Sequence, residues 1–158
     1  MTADIRATDS IGTIFVTALL LTGRVRLAEA SIKRGFDWLD DPDSASDEEL
    51  MSVTILAASD FPDSQNVQER EDSLFLPPEL RHVLKLPSDL RRCFVLRVLR
   101  AMPRESCARL LGLDAGAVDR NAGLAAQALA AISSDNQKKG RKGKQHDFSR
   151  VYFVSRLP

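Results

Sequence analysis

The residues best equipped for chemistry in this chain are its cations, because they recur at helical spacing. Arg91, Arg97, Arg100, Arg104 and Arg109 follow one another through two consecutive helical patterns. Guanidinium groups so placed can grip phosphates, the contact that supplies most non-specific nucleic-acid affinity. A solvated face that also meets the acidic front of the chain explains them equally well. Arg120 and Asn121 stand side by side on a later helix. Arg can pair with guanine and Asn with adenine through two hydrogen bonds each, and the plain alternative is a pair of solvated helix residues. Lys138, Lys139, Arg141, Lys142 and Lys144 make a cationic arm of the kind that contacts nucleic acid or simply aids solubility.

Catalytic sets are not readable. His82 and His146 are far apart, so no metal-ligand spacing appears. Paired carboxylates, a nucleophile beside a histidine and a phosphate-binding Gly loop are likewise missing, which argues for a non-enzyme without a cofactor. Cys93 and Cys107 are isolated within helical patterns and fit buried thiols in a reducing compartment.

The 158 residues suffice for one core or two small bundles. Net charge is zero, but residues 1–75 hold six Lys/Arg against fifteen Asp/Glu, a charge of −9. Residues 76–158 hold sixteen against seven, a charge of +9. The split suggests a basic half for a polyanion and an acidic half that packs on it or screens it, or else two solvated faces. The apolar run at 11–21 is shorter than the roughly 20 residues a bilayer needs. Asp4 and Asp9 before it argue against a secretory signal, so the expected site is the cytoplasm, with no membrane partner.

Helical periodicity dominates the positioning elements. Ser10 is the expected cap of a first helix carrying Ile11, Ile14, Phe15, Ala18 and Leu19, ended by Thr22-Gly23. A second helix places Ala28, Ile32, Gly35, Phe36 and Leu39 on one side, and Trp38 is expected in the core. Ser46 and Glu49 spell a capping box for a third, with Leu50, Val53, Thr54 and Ala57 inward. Pro77-Pro78 opens a short helix with Leu80, Val83 and Leu84. The next, to about Ala101, is expected to turn Leu90, Phe94, Val98 and Ala101 inward and its arginines outward. A helix with Cys107, Ala108 and Leu111, a Gly112-Leu113-Asp114 turn, and a helix to Ala131 with Val118, Ala122, Ala125 and Leu129 complete the pattern. Residues 133–145 are poor in apolar side chains and are expected to be disordered when free. Residues 148–154 have strand-like composition.

The order helix, short helix, Gly corner, helix is that of a helix-turn-helix, whose second helix enters the major groove. The gap-free stretch 86–129 resembles region four of extracytoplasmic-function sigma factors, of the sigma-70 type, in Leu86-Pro87, Arg91, Phe94, Leu96, Arg97, Ala108, Leu111, Gly112, Gly116 and Val118. Residues 18–36 resemble the start of region two, through Leu21-Thr22-Gly23, Ala28-Glu29 and Phe36. Where the family has Gln-Glu, this chain has Lys33-Arg34, and Asp119 interrupts the basic run of the recognition helix.

These readings imply an all-α protein. Residues 1–58 form a helical bundle, 59–75 an acidic linker, 76–131 the helix-turn-helix and 132–158 a basic tail. The expected function is DNA binding in transcription regulation by a divergent sigma-like factor on double-stranded DNA. The resemblance adds RNA polymerase core or an anti-sigma-like protein as partners. The competing expectation is a protein-interaction adaptor on the same scaffold.

Overall fold

The computed structural model describes the backbone of residues 3–62 and 73–145 and the side chains of 10–62 and 73–134. Among the described residues every regular element is helical. Three helices come first: α1 (Ala3–Thr22), α2 (Val25–Asp37) and α3 (Asp47–Ser59). Two 3₁₀ segments follow, Ser73–Phe75 and Pro78–Lys85, and then α4 (Ser88–Phe94), α5 (Arg104–Leu111) and α6 (Ala115–Gln145).

α1 is the central strut. Its second half is buried on every side at Thr17, Ala18, Leu19, Leu20, Leu21 and Thr22, which is why that stretch reads as a continuous apolar run rather than a stripe. It packs on α2, α3 and α4. The two threonines keep their hydroxyls satisfied by donating to the carbonyls one turn back, at 2.8 Å in each case. The helix begins at Ala3, so Ser10 lies within it instead of capping it, and Ile11 is 53% exposed. Residues 3–9 contain no Gly or Pro to stop the helix extending backwards.

Gly23, at φ +75°, ends α1 in the left-handed region. Gly35 lets α2 approach α3 closely: a Cβ there would meet the Thr54 hydroxyl at 3.0 Å. Trp38 and Phe36 are not core residues, being 47% and 37% exposed. Phe36 lies in the last turn of α2 and Trp38 is its C-cap, and the Arg34 guanidinium covers Trp38 and Phe61 with centroid distances of 5.7 and 5.5 Å. The capping box of α3 forms as its sequence spells it. The Glu49 N–H donates to the Ser46 hydroxyl at 3.2 Å, and the Ser46 N–H donates to the Glu49 carboxylate at 2.8 Å.

The acidic stretch expected as a linker begins inside α3 at Ser59 and reaches the 3₁₀ turn at 73–75; residues 63–72 lie outside the described residues. Phe75 then meets Phe15 edge-on at 6.3 Å. A continuous cluster of buried side chains joins the two ends of the chain, from Ile14 and Leu50 through Leu84 and Leu96 to Val118 and Ala125.

α4 departs from the expected register. After Phe94 the helix widens into a π turn, Val95–Leu99, in which the Arg100 N–H donates to the Val95 carbonyl at 2.9 Å. The extra residue in that turn brings Val95 and Leu96 into the core, while Val98 is 50% exposed and Ala101 lies outside. Pro103 disfavours a helical Met102, and the chain unwinds just here. Ala101 absorbs the change in the left-handed region, at φ 51°.

Candidate nucleic-acid interface

α5 and α6 meet across Gly112, whose φ of +66° suits a residue without Cβ. Cys107 and Ala108 pack inward from α5, and Val118, Ala122 and Ala125 from α6. Asp114 caps α6 by accepting the Ala117 N–H at 2.8 Å. The opposite face of α6, through Gly116, Asp119, Arg120, Gly123, Leu124 and Gln127, is exposed. α6 does not stop near Ala131. Its backbone stays helical to Gln145, so the stretch expected to be disordered continues the helix, and Lys138, Lys139, Arg141, Lys142 and Lys144 sit on its final turns. A helix already nucleated by tertiary packing adds each further residue at little cost, even in a polar segment. Residues 146–158, with their strand-like composition, lie outside the described residues.

The arginines do not form one patch. Arg91, expected to face outward, is 4% exposed. Its guanidinium lies against Gly23, where a Cβ would approach Nη2 to 3.1 Å, and Nη1 donates to the Leu86 carbonyl at 3.4 Å. A side chain at the end of α1 would crowd it. Arg97 Nε donates to Asp119 Oδ1 at 3.1 Å, and Arg104 Nη1 lies 3.7 Å from Asp119 Oδ2. Arg104 Nε also donates to Glu105 at 2.7 Å. That bond raises the Arg104 pKa and lowers that of Glu105. Asp119 thus binds two of the cations that the sequence reading offers to phosphate.

Arg120 remains on the exposed face, with Nη2 3.9 Å from the capping Asp114 carboxylate. Asn121 turns inward. It is half-buried, one helical turn from Val118, and so less open to a base edge than Arg120. Burial pushes the thiols of Cys93 and Cys107 up from their ordinary value, so both stay protonated. Arg109 is exposed on α5 beside Leu56 and Ser52 of α3. Arg100 is exposed on the side facing α1.

Glu105 and the bridging role of Asp119 are invisible in the sequence. Arg97 and Asp119 lie 22 residues apart, and only the fold joins them. Among the described residues no group of His, Cys, Asp and Glu could hold a metal ion, and no helix is long and apolar enough to cross a membrane. Comparison with family models, curated proteins and solved structures finds no match to this chain.

Proposed function

We propose that α5, the Gly112 corner and α6 act as a helix-turn-helix of the sigma region-four kind. The protein would be a transcription regulator that binds duplex DNA mainly through its phosphates. The continuity of α6 carries this reading: 31 residues run unbroken from the open face at 116–131 to the cations at 138–144. At 1.5 Å per residue the helix is about 46 Å long, more than the ~34 Å of one duplex turn. The same helix that lies against the groove therefore delivers positive charge about 26 Å further along its axis. Base reading is weak, because Asn121 is half-buried and Asp119 holds Arg97 and Arg104.

A salt titration of duplex binding tests the proposal. The logarithm of affinity should fall linearly with the logarithm of salt concentration. Changing all five cations at 138–144 to Gln should flatten that slope by up to about four or five, roughly one per lost phosphate contact. Absence of saturable duplex binding at low salt defeats the proposal.

The Asp119 ion pairs favour a second reading, the adaptor. An exposed α6 face with its charges internally matched, beside Leu113 and Leu124 at 36% and 52% exposure, suits another protein's helix. RNA polymerase core or an anti-sigma-like protein is the partner class implied. An adaptor shows no duplex affinity beyond that of the segment 132–158 by itself.

A further inference from the structure

Residues of α1, the 3₁₀ segments and the end of the π turn, with Arg100 after it, border a cleft of about 690 Å³. Its floor contains Leu20 and Leu76, both 2% exposed, and its walls include Val16, Leu80, Phe75 and Leu99. Phe75 is 60% exposed and Leu99 39%, so the apolar lining continues out to the rim. Among the described residues Arg100 is the charged group that lines it, and it makes no ion pair there. Two departures from regular helix set Arg100 at this point, the π turn before it and the left-handed Ala101 after it. The Thr17 hydroxyl proton is committed to the Thr13 carbonyl. A neighbouring cleft of about 680 Å³ shares Thr13 and Arg100 and brings Asp47 and Glu48 to its wall, but neither pairs with Arg100.

An apolar trough with a single cation at its edge has a definite chemical preference. A chain of methylenes gains by covering the leucines, and a terminal anion gains by meeting a guanidinium that pairs with no carboxylate among the described residues. A cationic amphiphile would meet repulsion, and a neutral polar ligand would find few partners. The volume lies within the ~300–1,000 Å³ usual for small-molecule sites. We propose that this cleft binds a medium-chain carboxylate, its chain along Leu20, Leu76 and Leu80 and its carboxylate on Arg100. The site is separate from the α6 face and stands or falls apart from the DNA-binding reading.

Isothermal titration of the full chain with decanoate below its micelle concentration tests this, with decanol and decyltrimethylammonium in parallel. Saturable one-to-one binding of decanoate is expected, weakened about ten-fold by Arg100→Gln, the loss typical of a charge-assisted hydrogen bond. Decanol binding should be insensitive to that change. Gly12→Phe should weaken both ligands. Gly12 lines the cleft, and a Cβ there meets nothing within 4 Å, so the variant can keep the native circular dichroism while its ring covers the trough. Phosphatidylglycerol vesicles should not compete. The proposal is overturned by absent saturation, by equal decanoate affinity in Arg100→Gln, by equally tight decyltrimethylammonium, or by preferential capture on vesicles.

Discussion

The front of the molecule, α1–α3, and the rear, α4–α6, place their polar groups by opposite rules. In the front, most buried hydroxyls are satisfied within their own helix, as Thr22 and Ser31 are through bonds of 2.8 and 2.6 Å to carbonyls one turn back. Thr54 is the exception, its hydroxyl packed against Gly35. The acids stay outside, at the first turn of α3, where they suit the helix dipole. In the rear, cations cross between elements. Arg91 is pressed under Gly23, Arg92 reaches the Phe61 carbonyl at 2.8 Å, and Arg97 and Arg104 share Asp119. A row of arginines at helical spacing is therefore not one surface. Part of it ties the rear to the front, part braces the α5–α6 corner, and only the remainder is available to a partner.

If the two regions share one core, damage to the rear must unfold the front. Leu96→Ala removes a fully buried side chain and should cost about 3 kcal/mol, within the 2–5 typical of such truncations. Trp38 reports from the end of α2, so its fluorescence transition in denaturant should shift together with the helical signal. A Trp38 transition that stays in place would split the molecule into independent halves. Gly23→Ala attacks the seam directly, forcing a Cβ into the left-handed region and against the Arg91 guanidinium. A loss of about 1–3 kcal/mol is expected by the same denaturation measurement. Gly123→Ala sharpens the contrast in the other direction. Its Cβ meets nothing within 4 Å on the exposed face of α6, so the melting temperature should rise, by about 0.5–1 kcal/mol of stability.

The front end also has its own pH response. The Ser46 backbone N–H, and then its hydroxyl, hold the Glu49 carboxyl below its ordinary value of 4.5. A depressed folded-state pKa means the capping contribution is fully present above the unfolded carboxylate value and is lost as pH falls through the folded one. An NMR titration should show the Glu49 carboxyl and the Ser46 amide moving together below pH 4.5. Titration of Glu49 at its ordinary value would remove the box from the account.

Local signals were legible in the sequence where they act within one element. The capping box at Ser46, the glycine ends at Gly23 and Gly112, and the Asp114 cap all form from residues a few positions apart. The inward residues of α6 follow the 3.6-residue period through Val118, Ala122 and Ala125. Signals failed where tertiary geometry intervenes. The π turn before Pro103 moves Val98 out of register, and no periodicity announces it. The start of α1 at Ala3 follows from the absence of a stop, whereas Ser10 looks like a start in sequence and is not one. Of the proposed phosphate-gripping set, Arg100 and Arg109 keep their exposure, as does Arg120 of the base-reading pair. Arg91 is buried, Arg97 and Arg104 gain a carboxylate that lies 22 and 15 residues further along the chain, and Asn121, the other proposed base reader, is half-buried.

If α6 binds DNA as proposed, Asp119 withholds two arginines from that contact, and Asp119→Asn tests this most directly. Side-by-side duplex titrations of the native and variant proteins over a range of salt should show tighter binding by the variant. The salt slope should steepen by up to about two, one unit for each released guanidinium. An unchanged affinity and slope would mean that Arg97 and Arg104 do not face the duplex, and the α6 surface would then have to serve a different partner.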